Sequence, residues 1–298
     1  MLRLLYTTVT FARLFLRAKR GLQAGVLTLV YPRGMNIAMP GGSQANLPWQ
    51  IQEIQEIQMT QMTQMIQGGR GMQPLSLVHL VREPIVEVRN PPLLLLLHGV
   101  GSNEYDLFGL APYLDERFLI ISVRAPNTIG PRSYAWFDVD FTPQGPVIDP
   151  AQAEASREAV IAFLGEAVTA YSADSKQVYL VGFSQGAIMS ASVALTRPDL
   201  VAGAVLMSGR ILPEIQPLIA ASEALEGLPF LVVHGTADTV LPINNGRASN
   251  QLLSSLPVEL TYHEYTMGHE VSQESLDDVA SWLSAHLDRA KHAPGRGK

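Results

Sequence analysis

The chain contains no cysteine. Disulfides, a thiol nucleophile and thiolate metal sites are therefore excluded at the outset. Charge is also scarce, at 16% Asp, Glu, Lys and Arg, and no acidic residue occurs before Glu53. The first thirty residues are apolar but punctuated by Arg3, Arg13, Arg17, Lys19 and Arg20. Their longest uncharged run, Gly21 to Pro32, falls far short of the roughly 20 residues a membrane-spanning helix needs. A net charge of −6 argues against nucleic acid as a partner.

What is present divides into two kinds of sequence. Residues 1–75 carry seven Lys/Arg against two Glu, net +5, which with the total of −6 leaves −11 for residues 76–298. The basic, acid-free start has the character of a transit or signal peptide, or of an interfacial membrane anchor over residues 1–33. Met35 or Met72 is an alternative natural start. With neither targeting segment in force, a cytoplasmic location is expected. From Ile51 to Gln67 the chain repeats in triplets of Ile, Met and Gln. A three-residue period slips about 60° per repeat around a helix and holds no fixed face. Residues 1–74 are accordingly expected to be a low-complexity, basic and disordered extension, dispensable for activity. Residues 290–298 are expected to be a disordered basic tail.

Between them, residues 75–289 have a globular pattern. Apolar runs read as strands over 77–81, 85–88, 93–97, 118–123, 177–181, 202–207, 229–233 and 259–265. Helical segments are expected over 151–171, 184–196, 244–256 and 271–287. Strands alternating with helices predict an α/β fold with a mostly parallel central sheet and helices on both faces. The segment 211–226 is too short for a large lid domain.

One stretch organises the rest. Gly182-Phe183-Ser184-Gln185-Gly186 reads G-x-S-x-G, between a buried strand and a small-residue helix. On such a turn a serine hydroxyl is pushed out above the sheet, where a base can reach it. A serine is barely ionised at neutral pH, so it needs a base, and the base needs an orienting acid. Two residues just after later strands fit those roles: Asp238 in His234-Gly235-Thr236-Ala237-Asp238, and His269 in Met267-Gly268-His269. The chain order serine, acid, histidine is that of an α/β-hydrolase. Asp238 could instead be a turn-former and His269 a loop histidine; Glu264, Glu270 and His234 are rivals for acid and base. An oxyanion also needs two backbone N–H donors. Gln185 supplies one by following the serine, and Val100 in His98-Gly99-Val100-Gly101 suits the other.

These motifs, with Ala135-Trp136-Phe137-Asp138, resemble the phospholipase/carboxylesterase family of α/β-hydrolases, which includes the acyl-protein thioesterases. The resemblance covers about residues 75–289 and none of the first 70. It implies a serine esterase without cofactor or metal, acting on small-molecule esters and often dimeric. It also implies that the Trp136 loop borders the acyl pocket; Leu212 is expected to border it too. The acyl-protein thioesterases carry Gly-Leu-Gly-Asp after the oxyanion histidine, whereas this chain has Gly-Val-Gly-Ser-Asn, which favours short to medium acyl esters. Lysophospholipase or thioesterase activity on longer chains, and a non-catalytic binding module, are the alternatives.

Overall fold

The computed structural model describes residues 27–30, 36–39, 75–142 and 145–292. The chain divides into two units, Met1–Gly71 and Met72–Lys298. Within the first, Leu27–Val30 and Asn36–Met39 pair antiparallel, with Leu27 opposite Met39. The expected disorder of residues 1–74 otherwise concerns residues outside those described, as does residues 293–298 of the tail.

The second unit is built on seven strands: β1 (His79–Arg82), β2 (Leu93–Leu97), β3 (Leu119–Val123), β4 (Val178–Phe183), β5 (Gly203–Met207), β6 (Pro229–Gly235) and β7 (Glu259–Tyr265). They lie in the order β7-β6-β5-β4-β2-β3-β1. Only β1 runs antiparallel, against β3. Four long helices, α1 (Pro150–Ala170), α2 (Gln185–Thr196), α3 (Asn244–Ser254) and α4 (Gln273–His292), connect or follow the strands.

Side chains alternate across a strand, so an unbroken apolar run must serve two cores at once. Five consecutive leucines do so here. Leu93, Leu95 and Leu97 join one cluster with Val160 and Phe163 of α1 and Met189 and Val193 of α2. Leu94 and Leu96 join the other with Leu276, Val279 and Leu283 of α4. All five are fully buried, each contributing about 2 kcal/mol of apolar burial. α2 is buried on every side, and its Gly186, Ala187, Ser190, Ala191, Ser192 and Ala194 let it lie close to the sheet. α1 begins at an Asp-Pro pair, with the Asp149 carboxylate accepting the N–H groups of Ala151 and Gln152 at 2.9 and 3.1 Å.

Three features depart from the sequence reading. Residues 85–88 are not a strand: Pro84 breaks the edge, Ile85 and Val86 are largely exposed, and the Ile85 N–H is tied to Glu116 O. The last helix continues through His292, three residues beyond the expected body. Two antiparallel hairpins were not anticipated, Asn127–Gly130 with Ser133–Ala135 and Val139–Thr142 with Gly145–Ile148. The 211–226 segment contains only a 3-10 turn, Pro213–Leu218, and a single helical turn, Ser222–Leu225. No helix among the described residues is long and apolar enough to cross a membrane.

The strand order sets where chemistry can occur. From β2 the chain moves outward to β3 and then returns to β4 on the other side of β2. Loops leaving β2 and β4 diverge at that switch point and open a crevice at their carboxyl ends.

Candidate active site

Ser184 sits at the end of β4 with φ 54° and ψ −116°, a strained conformation for any residue with a side chain. The turn tolerates nothing larger than hydrogen beside it. A Cβ at Gly182 would lie 2.2 Å from Gly186 O, and one at Gly186 would lie 1.9 Å from Leu97 O. The Ser184 N–H is held by Met207 O of β5 at 2.9 Å. The turn is therefore pinned to strands on both sides.

The structure brings the three expected residues into one hydrogen-bonded chain. Ser184 Oγ lies 2.9 Å from His269 Nε2, and His269 Nδ1 lies 2.7 Å from Asp238 Oδ2. With the carboxylate accepting from Nδ1–H, Nε2 is left to accept the serine proton. Asp238 Oδ1 is occupied by the N–H groups of Val240 and Leu241 at 2.9 and 2.8 Å. Burial pushes the Asp238 carboxyl up, but the hydrogen bond and charge of His269, with those two amides, outweigh it and hold it below its ordinary range. The imidazole packs against Phe183, ring centroids 4.9 Å apart. A charged relay of this kind can take a proton from a hydroxyl and return it to a leaving group.

The rivals do not join that hydrogen-bonded chain, although His234 Nε2 lies 3.5 Å from Asp238 Oδ2. Glu264 pairs with Arg247 at 2.8 Å on the surface, and that hydrogen bond with one from Tyr262 holds its carboxyl down to about 2. Glu270 lies beside the Gly268 N–H at 3.4 Å. His234 is fully buried, donates from Nε2 to Leu241 O at 2.7 Å, and so supports the loop that carries Asp238.

The loop after β2 is as firmly built. Gly101 has φ +83°, which a side chain rarely adopts. Its N–H donates to Tyr134 O at 2.9 Å, and the Tyr134 N–H donates back to Ser102 O at 2.9 Å. The Val100 N–H, by contrast, has no acceptor among the described residues. Gln185 is the first residue of α2, where amides have no partner within the helix. Two free donors thus flank the serine.

His98 orients this loop. Its Nε2 accepts the Ala125 N–H at 3.0 Å, so Nδ1 carries the proton and donates to Gly99 O at 2.7 Å. Burial pushes His98 below the ordinary imidazole value, and burial does the same to His79 beneath Tyr171. Such groups bind fewer protons folded than unfolded. Their stabilising contribution is whole above pH 6.5 and lost as pH falls from there towards the folded value. Asp238 acts lower, its contribution present above 3.8 and lost as pH falls through its depressed folded value. The urea midpoint should therefore drop between about pH 7.5 and 5, and His79→Gln should flatten the drop. A midpoint constant across that range would show that neither histidine is kept neutral by the fold.

A cleft with room for about 40 Å³ opens at Ser184, lined by Val100, Phe137, Ile148, Gln185, Arg210 and Val240 among others. Neither Trp136 nor Leu212, the two residues expected there, lines it. Trp136 is fully buried, its Nε1 donating to His98 O at 2.9 Å. It is locked inward by Gln185, whose Oε1 accepts the Trp136 N–H and whose Nε2 donates to Phe137 O, both at 2.7 Å. Phe137 faces the cleft in its place. Leu212 lines a larger cavity of about 230 Å³ with Pro150, Arg157, Ser192 and Ile215. None of the three hydrogen-bonded residues lines that cavity, so the smaller cleft is the one that matters chemically. Among the described residues no cluster of His, Asp or Glu is arranged to hold a metal.

Comparison with known proteins places the chain in a family. A profile of the phospholipase/carboxylesterase family matches residues 81–287. Acyl-protein thioesterase 1 of Eremothecium gossypii is 28% identical over 216 residues, spanning 67% of this chain and 90% of that protein. A probable carboxylesterase of Oryza sativa subsp. japonica is 27% identical over 213 residues, spanning 67% and 79%. A carboxylesterase of Bacillus cereus superposes with a TM-score of 0.61 at 22% identity, over 75% of this chain and 98% of its own, a likeness of fold. The chain belongs to the phospholipase/carboxylesterase family and is a carboxylic ester hydrolase on an α/β-hydrolase fold.

Proposed function

We propose that the chain hydrolyses short to medium acyl esters by an acyl-enzyme route in which Ser184 is the nucleophile. The observation that carries this reading is the continuous hydrogen-bonded path Ser184–His269–Asp238 at the mouth of a small cleft. His269 Nε2 takes the hydroxyl proton as Oγ bonds to the ester carbonyl carbon. The carbonyl oxygen becomes an oxyanion, received by the Val100 and Gln185 N–H groups and by the positive end of α2. Asp238 stabilises the imidazolium and keeps its tautomer. The C–O bond of the ester then breaks, and the imidazolium returns its proton to the departing alcohol. Water, deprotonated by the same imidazole, attacks the acyl-serine and releases the acid. A protonated base cannot accept the serine proton, so acid silences the first step.

The size of the cleft supports small acyl groups, and its apolar rim of Val100 and Val240 suits their short chains. Similarity to the Eremothecium gossypii thioesterase supports a second reading, hydrolysis of acyl thioesters. A chain-length series on oxygen and thiol esters separates the two. The test of the nucleophile is labelling by a fluorophosphonate. We expect one equivalent to attach at Ser184, with turnover of p-nitrophenyl butyrate lost in proportion. Intact turnover after full labelling elsewhere, or no labelling and no turnover, would refute the reading.

A further inference from the structure

The arginines of the catalytic body are, with few exceptions, accounted for. Arg117, Arg124, Arg157, Arg197, Arg247 and Arg289 each pair with a carboxylate. Arg82 places its two terminal nitrogens on the carbonyls of Ala111, Leu114, Asp115 and Phe118. Arg210 is different. It is half-buried, it lines the cleft at Ser184, and among the described residues it has no hydrogen bond and no carboxylate within ion-pair distance. Every other residue lining that cleft is uncharged.

The backbone that delivers Arg210 is strained. Ser208, directly after β5, has φ +49° although it carries a side chain, and its buried hydroxyl has no partner. Gly209 follows, passing so close to α2 that a Cβ there would stand 2.5 Å from the Ala187 Cβ. A left-handed serine followed by a tightly packed glycine bends the chain back over the nucleophile turn. Strain of this kind persists where surrounding structure over-determines it, and it gathers at working sites. Here its product is an arginine lining the same cleft as Ser184.

A guanidinium presents a planar fork of donors matched to carboxylate and phosphate oxygens. Burial depresses the Arg210 pKa and the charge of Glu214 opposes that, so the cation is paying for desolvation with little return inside the protein. The body from residue 76 onward carries −11, a field that does not favour anions at long range. A local cation is therefore what would let an anionic ester settle.

We propose that Arg210 makes the cleft selective for esters that carry an anionic group, a carboxylate or a phosphate, which its guanidinium holds while Ser184 attacks. The proposal rests on the serine-esterase reading and narrows its substrate class. A neutral ester leaves the guanidinium unpaired, and a site built around a charged partner discriminates through that omission.

Two matched pairs of substrates test it on the whole protein. Monomethyl glutarate against methyl butyrate places the anion on the acyl side. Monobutyryl glycerol 3-phosphate against monobutyrin places it on the alcohol side. In the wild type we expect the charged member of at least one pair to be favoured in kcat/KM by about tenfold or more, mainly through KM. The favoured pair identifies which kind of anion the site takes. Arg210→Met should bring that ratio to about one or below, and Arg210→Lys should keep part of it, since the charge survives and the fork does not. If Arg210→Met does not fold, the intermediate ratio in Arg210→Lys carries the test. A wild-type ratio of about one in both pairs, with p-nitrophenyl butyrate still turned over, would overturn the proposal alone. So would a preference unchanged by either substitution. Absence of both turnover and fluorophosphonate labelling would instead remove the esterase reading, and this proposal with it.

Discussion

Ser184→Ala should lower kcat for p-nitrophenyl butyrate by about 10⁴-fold or more while the protein keeps its fold. The size of the effect follows from geometry. Among the described residues the hydroxyl is the only group bonded to His269 Nε2, at 2.9 Å, and without it the proposed acyl-enzyme cannot form. What remains is the contribution of the Val100 and Gln185 amides to a direct attack by water, which is slow. Stability should change little, because alanine inherits the same φ of 54° and the 2.9 Å backbone bond to Met207 O. Steady-state kinetics with an active-site titrant, beside a urea melt, provide the measurement. Activity within tenfold of wild type would mean that another residue attacks.

The largest loss of stability should come from one methyl group at Gly186. A Cβ there would stand 1.9 Å from Leu97 O and 2.7 Å from His98 O. Both are backbone atoms of β2 and its outgoing loop, and neither can swing aside as a side-chain tip could. α2 and β2 would have to separate, opening a core in which both are fully buried. Gly186→Ala should therefore cost more than about 4 kcal/mol and give little soluble protein. Gly165 supplies the control. It lies on the exposed face of α1 with no neighbour within 4 Å of a built Cβ, so Gly165→Ala should be neutral or stabilise by about 0.5–1 kcal/mol. Urea denaturation of both variants decides the matter. A Gly186→Ala protein that melts like wild type would mean that the elbow is looser than its contacts require.

The contrast between those glycines also explains what could be read before the fold was known. The sheet was legible because its central strands are apolar runs bounded by Gly, Pro and Asp, with both faces buried. Ser184, Asp238 and His269 were legible because each follows a strand, and parallel strands bring their ends together. The hairpins between 127 and 148 were not, since their strands are three or four residues long and mix exposed with buried positions. Ile85 to Val88 alternate as a strand would, but nothing in a local pattern reveals that Pro84 leaves them beyond the sheet edge.

Trp136 and Phe137 show the harder limit. Both rings are buried, but only Phe137 borders the cleft, and the backbone that sets this is held by Gln185, 49 residues later. Arg210 was missed for a similar reason. Its direction depends on a left-handed Ser208, a conformation that serine gives no sign of in sequence. In both cases the information is a backbone torsion or a distant amide rather than a pattern.

Gln185 carries a further implication, for how the pocket could evolve. In the proposed route its main-chain N–H serves the reacting oxygen, while its side chain holds the Trp136 and Phe137 main chain at 2.7 Å each. Substitutions that reshape the cleft floor at Phe137 would therefore be felt at the oxyanion, and the two effects would combine non-additively. Val139 and Ile148 on the hairpin wall line the same cleft, while the Gln185 side-chain amide bonds only to Trp136 and Phe137 among the described residues. A lineage adapting to new acyl groups has its accessible mutational path there, on the hairpin, while the floor stays epistatically locked to the chemistry.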